Sequence, residues 1–219
     1  MTIEVVRKSL LQENDQAAQE NRQALQDAGV VAFNIMGGAG CGKTTLLERV
    51  IPELRQSFTV AVLEGDLATT KDAARIDALG VPVVQLLTEG GCHLNATLVQ
   101  QGLQRLPLAD VQVLLIENVG NPICPANFDL GEHHRIAVLS VTEGDDKPAK
   151  YPYLFSVAGL VLITKVDLLD RTDFSIERAS EAIHALDQAK PILQCSAKSS
   201  SSMKPVIAWL AGAVRSSIN

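Results

Sequence analysis

Gly37-Gly38-Ala39-Gly40-Cys41-Gly42-Lys43-Thr44 follows the apolar run 30–36 and leads into the helical pattern of 43–54. These eight residues fit G-x-x-x-x-G-K-[ST], the pattern of a loop that wraps phosphate between a strand and a helix. The residue types follow from the chemistry. Small glycines let successive backbone N–H groups turn inward on phosphate oxygens, and the helix N-terminus adds partial positive charge. Lys43 is expected on the β- and γ-phosphates, and the Thr44 hydroxyl on Mg²⁺. Gly37, Gly38, Ala39, Gly40, Cys41, Gly42 and Thr45 complete the expected nucleotide contacts, with Cys41 read as a small residue that fits the loop.

The pattern continues outward from this loop. Apolar runs at 59–63, 81–87, 111–116, 136–141, 160–163 and 192–195 are separated for the most part by helical stretches, including 94–106, 175–190 and 204–216. Short, nearly continuous apolar strands alternating with helices predict a doubly wound α/β fold, its sheet mainly parallel and covered by helices on both faces. Residues 1–28 read as an appended N-terminal helix closed by Gly29. No repeat or linker divides the chain, so residues 1–219 are expected to form a single domain.

Composition narrows the function. The 219 residues carry a net charge of −6 and 4% aromatics, which argues against nucleic-acid binding through a basic footprint or stacked bases. No run approaches the roughly 20 apolar residues of a membrane span. The polar N-terminus lacks the apolar segment of a signal peptide, so a cytoplasmic location is expected. In a reducing compartment Cys41, Cys92, Cys124 and Cys195 are expected as buried thiols, metal ligands or nucleophiles rather than as disulfides.

A phosphate loop calls for carboxylates on its metal side. Glu117 ends the run 111–116 and is expected to hold Mg²⁺, with Gly120 offering its N–H to the γ-phosphate. Glu64 and Asp66 end the neighbouring run. Asp66 is the first choice for a second Mg²⁺ contact and for orienting the attacking water, with Asp72 in reserve. Lys43, Asp66 and Glu117 are thus the expected catalytic set. Thr164-Lys165-Val166-Asp167 resembles the N-K-x-D guanine motif. Guanine presents adjacent N1–H and N2 donors that one carboxylate, Asp167, can accept together, while the Lys165 stem lies over the purine. Ser196-Ala197-Lys198 resembles the loop that supports such a site. Thr164 replaces the usual Asn and is expected to supply part of its hydrogen bonding.

The stretches MGGAGCGKTTLLERVIPEL, VLEGDLATTKDAARI, EGGCHLNA, IENVGNPICPANFDLGE, SVTEGDDKPAKYP and TKVDLL together resemble the hydrogenase nickel-incorporation GTPases, the HypB family. The resemblance covers nearly the whole chain, and the urease accessory GTPases are the next nearest relatives. It implies a maturation GTPase that uses GTP and Mg²⁺ and helps deliver Ni²⁺ to the [NiFe]-hydrogenase large-subunit precursor. It also implies a nucleotide-dependent homodimer that holds Ni²⁺ or Zn²⁺ between subunits through Cys92, His93 and Cys124.

Thiolate and imidazole suit these ions. Cys92 and His93 are expected to open a helix, which would lower the thiol pKa. Lys147, in the charged and proline-rich stretch 145–152, is placed by the resemblance near the dimer face, within reach of the partner's nucleotide. His133 and His134 are expected as a solvent-facing doublet and Cys195 as a core thiol in the last strand. Residues 1–40 contain no Cys and no His, so no nickel store is expected there, and a partner nickel metallochaperone is expected to load the site. Two other functions use the same residues. One is a metal carrier in which GTP only sets the dimer state. The other is an ATP-dependent small-molecule kinase, against which the TKVD and SAK segments argue.

Overall fold

The computed structural model describes residues 10–66, 70–88 and 90–218; the first nine residues of the expected N-terminal helix lie outside the described residues. In chain order the elements are α1 (Leu10–Asp27), β1 (Val31–Gly37), α2 (Lys43–Leu54), β2 (Val60–Asp66), α3 (Lys71–Asp77), β3 (Val83–Leu87), α4 (Ala96–Leu103) and β4 (Val113–Gly120). They continue as β5 (His134–Ser140), α5 (Lys147–Lys150), α6 (Pro152–Val157), β6 (Leu160–Thr164), α7 (Ile176–His184), β7 (Ile192–Gln194) and α8 (Ser200–Ile218).

The seven strands form one sheet in the order β3-β2-β4-β1-β5-β6-β7, and every strand pair is parallel. The expected doubly wound fold is what the chain adopts. Strand β1 shows why its run has so few polar residues. Val31, Phe33 and Ile35 pack toward α2 and α8. Ala32 and Met36 face the opposite side, where α1, α4, α6 and α7 lie. Both faces are buried, so alternation of polar and apolar residues is lost. The strands β2 to β4 lie on one side of β1 and β5 to β7 on the other. The carboxyl end of β1 is therefore the topological switch point, where open α/β sheets bind ligands.

Helix α1 is tied down by asparagines rather than by a wide apolar stripe. Asn14 Nδ2 donates to the Asp129 carbonyl, and Asn14 Oδ1 accepts from the Ala96 N–H, both at 2.8 Å. Asn21 Nδ2 donates to the carbonyls of Ala96 and Leu130. Arg22 pairs with Asp129 at 2.8 Å. The appended helix thus grips the start of α4 and the segment before β5.

Candidate nucleotide and metal site

The phosphate loop crosses from β1 to α2 at the switch point. Gly40 (φ +73°) and Gly42 (φ +100°) take left-handed conformations, which cost a residue with a Cβ about 1 kcal/mol or more. Cys41 points into the core beneath the loop, where burial pushes its thiol up to about 11. It is a packing residue in a phosphate loop. Lys43 Nζ donates to the carbonyls of Gly37 and Gly38 at 3.3 and 3.2 Å.

Thr44 Oγ1 donates to Glu117 Oε1 at 2.7 Å. Glu117 is buried, and burial pushes its carboxyl up to about 7. Glu64 stands beside it in the β2–β4 register and is 2% exposed. Burial, and then the charge of Glu117, raise the Glu64 carboxyl to about 8. Each carboxyl keeps one buried oxygen, Oε2, without a hydrogen-bond partner. Buried polar atoms are seldom left so. Two idle carboxylate oxygens beside a hydroxyl are the hard donor set that a Mg²⁺ ion takes, and ionisation of the pair is what a divalent cation would favour.

Asp66 and Asp72 line the same cleft of about 370 Å³, together with Ala39, Thr45, Gly120 and Lys165. Gly120 is there because only hydrogen fits: a Cβ would lie 2.9 Å from Ala39 Cα. Arg75 also lines the cleft, and the sequence reading missed it. Its guanidinium donates to Glu48 at 2.7 and 2.9 Å, to Asp72 at 2.9 Å and to Thr45 Oγ1 at 3.2 Å. The Asp72–Arg75 pair is i,i+3 within α3, a helix too short to be read from the sequence pattern. The meeting with Glu48 on α2 is tertiary and has no local signal.

The TKVD segment leaves β6 beside this loop. Thr164 Oγ1 donates to the Cys41 carbonyl at 2.7 Å, and Lys165 Nζ donates to the Gly40 carbonyl at 2.6 Å. Lys165 holds a left-handed backbone at φ +58°, the one such non-glycine residue among those described and of the kind found at functional sites. Asp167 Oδ1 accepts from Ser196 Oγ at 2.6 Å, and Lys198 Nζ lies 3.0 Å from Oδ2. The Ser196 hydroxyl, then Lys198, hold this carboxyl below the usual range. Ala197 joins these two supports as the half-buried middle of the loop.

Beyond Gly120 the chain turns into Asn121-Pro122-Ile123-Cys124. The ligand atoms of Cys92, His93 and Cys124 all lie within 4.8 Å of one another, in one chain. The His93 ring stacks on Phe128 with centroids 3.8 Å apart, and burial lowers its pKa, which favours the neutral, ligating imidazole. The expectation of a lowered thiol at Cys92 is corrected. Helix α4 begins only at Ala96, capped by Asn95, so its N-terminal field acts on Asn95 and not on Cys92. The neighbouring Cys124 thiol instead raises the Cys92 pKa.

The match to the CobW/HypB/UreG nucleotide-binding domain spans residues 31–194. The hydrogenase maturation factor HypB of Escherichia coli (strain K12) is 44% identical over 201 residues, which cover 92% of this chain and 69% of that protein. The chain belongs to the HypB family. HypB from Helicobacter pylori, solved in complex with nickel, superposes with a TM-score of 0.90 at 34% identity, covering 94% of this chain and 97% of that one. The hydrogenase maturation factor HypB from Archaeoglobus fulgidus gives 0.87 at 37% identity, covering 93% and 100%.

Three further expectations meet the HypB-type frame differently. Lys147 starts α5, 3.8 Å from Asp146 Oδ1, and is not among the residues lining its own chain's nucleotide cleft. His133 and His134 are not solvent-facing. His133 Nδ1 accepts from the Ala32 N–H at 3.1 Å. His134 stacks on Phe33 and meets Trp209 edge-on, with centroids 5.1 and 5.8 Å away. Burial lowers the pKa of both histidines, because the apolar packing disfavours the imidazolium. Cys195 is a core thiol as expected, pushed up to about 11 by burial, but it follows β7 rather than lying in it.

Proposed function

We propose that the chain is a GTP-hydrolysing metallochaperone of hydrogenase maturation. It would act in the cytoplasm as a single-domain GTPase that forms a nucleotide-dependent homodimer. The observation that carries this reading is that β4 serves two chemistries. Glu117 touches Thr44 of the phosphate loop, and four residues beyond Gly120 the same segment brings Cys124 to Cys92 and His93. The chain's nickel-bound relative is a second support.

In this reading the backbone amides of 37–44 hold the α- and β-phosphates, and Lys43 exchanges its two carbonyl partners for β- and γ-phosphate oxygens. Mg²⁺, when bound, neutralises phosphate charge; Thr44 and Glu117 would hold it, with Asp66 and the idle oxygen of Glu64 as its further ligands. Asp66 also orients the attacking water, and the Gly120 N–H binds the γ-phosphate. Asp167 accepts the two guanine donors, held in place by Ser196 and Lys198, while the Lys165 stem covers the base. Cys92, His93 and Cys124 carry the cargo ion, Ni²⁺ or Zn²⁺. The partners are a nickel metallochaperone that loads the ion and the hydrogenase large-subunit precursor that receives it. Lys147 would reach the partner subunit's nucleotide.

Competition tests the base reading. GTP should displace a bound fluorescent GDP analogue, ATP in large excess should not, and Asp167→Asn should shift preference toward xanthosine nucleotides. The amide donor of that variant matches the xanthine O2 acceptor. ATP displacing the probe as well as GTP would sink the assignment. Metal titration tests the cargo site: Cys92→Ala and Cys124→Ala should each lose Ni²⁺ and Zn²⁺ while retaining hydrolysis.

A further inference from the structure

Two asparagines flank the closely packed Gly120, and both reach the loop that carries Cys92 and His93. Asn118 is buried and accepts from the Leu94 N–H at 3.3 Å through Oδ1. Its Nδ2 donates to Asn34 Oδ1 at 3.1 Å, which anchors it to β1. Asn121 is less buried and does three things at once. Its Nδ2 donates to the Cys92 carbonyl at 3.1 Å. Its Oδ1 accepts from the Ile123 N–H at 2.9 Å, one residue before Cys124. Its backbone bridges to Gly37, the first residue of the phosphate loop.

One carboxamide therefore fixes the spacing between the two cysteine-bearing loops, and its own backbone is fastened to the loop that grips phosphate. We propose that Asn121 is a positioning residue through which the nucleotide state reaches the metal ligands. This rests on the reading of Cys92, His93 and Cys124 as the cargo site. A shift of the Gly37–Asn121 bridge on binding a γ-phosphate is carried by Asn121 to the Cys92 carbonyl and the Ile123 N–H together. The separation of the two thiols changes with it. Linkage makes the effect mutual: metal occupancy must change nucleotide affinity by the same factor as nucleotide changes metal affinity. Supporting groups that orient ligands in this way are commonly worth about tenfold or more in metal affinity.

The test is a competition titration of Ni²⁺, and separately Zn²⁺, against a chromogenic chelator. It is run on full-length wild type, Asn121→Ala and Asn121→Asp, each with GDP and with a non-hydrolysable GTP analogue. Wild type should show different metal affinities in the two nucleotide states. Asn121→Ala should bind metal roughly tenfold more weakly, with the ratio between nucleotide states close to one. Asn121→Asp keeps the acceptor for Ile123 and loses the donor to Cys92, so its ratio should collapse in the same way. A weaker affinity with the wild-type ratio preserved would be a purely structural effect and would overturn the coupling role. So would an unchanged affinity and ratio, or a wild-type ratio of one. Cys92→Ala and Cys124→Ala run in parallel report on the cargo site itself. If they bind metal like wild type, that reading fails whatever Asn121 does.

Discussion

Thr164 has one proton to donate, and it goes to the Cys41 carbonyl at 2.7 Å; the Leu139 carbonyl, at 3.4 Å, is the secondary partner. An asparagine here would have two amide protons, so the tie between base loop and phosphate loop survives with fewer bonds. Thr164→Val keeps the shape and removes the hydroxyl, leaving a buried carbonyl without this partner. It should cost about 1–2 kcal/mol of stability and weaken guanine nucleotide binding, both readable from denaturant midpoints and fluorescent GDP titration. Thr164→Asn should bind at least as well as wild type; equal binding by the Val variant would show that the tie is idle. Position 164 was legible in sequence because a motif fixes its register. Lys43, Thr44, Glu117 and Asp167 were legible for the same reason: motif register places Lys43 and Thr44 at the start of α2, Glu117 in β4 and Asp167 just beyond β6. Arg75 and Asn121 were not. Their partners, Glu48 and Cys92, lie 27 and 29 residues away in the chain, and only the fold brings them together.

Among the elements, the long ones announced themselves. All seven strands and the helices α2, α4, α7 and α8 fall on predicted runs, shifted by a few residues at their ends, where capping rather than periodicity decides. The short helices α3, α5 and α6 did not, because four to seven residues give too little of a helical period to read. Helix α1 was legible as a helix, but its attachment was not. Its docking depends on Asn14 and Asn21, polar residues that a pattern reading assigns to solvent. Asn21 is 1% exposed and donates to two carbonyls, at 2.8 and 3.0 Å. Asn21→Ala leaves both carbonyls short of a donor and should destabilise the protein by about 2–3 kcal/mol. Because Ala96 begins α4, just beyond His93, amide exchange should rise there as well as in α1. A denaturation midpoint equal to wild type would mean that α1 adds nothing to global stability.

At the scale of the whole molecule, the proposed cargo site would supply three ligands from one chain, while structural sites for such ions close with four. The groove beside it suggests where the rest comes from. Pro122, Ile123, Tyr151, Pro152 and Tyr153 line an apolar depression next to Cys124, and Ile123 and Tyr153 are 55% and 52% exposed. Exposed apolar side chains grouped in this way mark interaction surfaces more often than scattered ones do. Lys147 starts the short helix α5, whose last residue, Lys150, also lines this groove. A second copy placed across a two-fold axis here would cover the apolar residues, set two cysteine clusters facing each other and bring Lys147 toward the partner's nucleotide. Ile123→Asp buries a charge in any such interface, which costs several kcal/mol where it stays unpaired. In sedimentation experiments with a GTP analogue, wild type should be dimeric and Ile123→Asp monomeric, with GTP affinity of the monomer unchanged. Metal affinity should then fall toward that of a three-ligand site. A variant that still dimerises would place the interface on another face and return the fourth ligand to solvent.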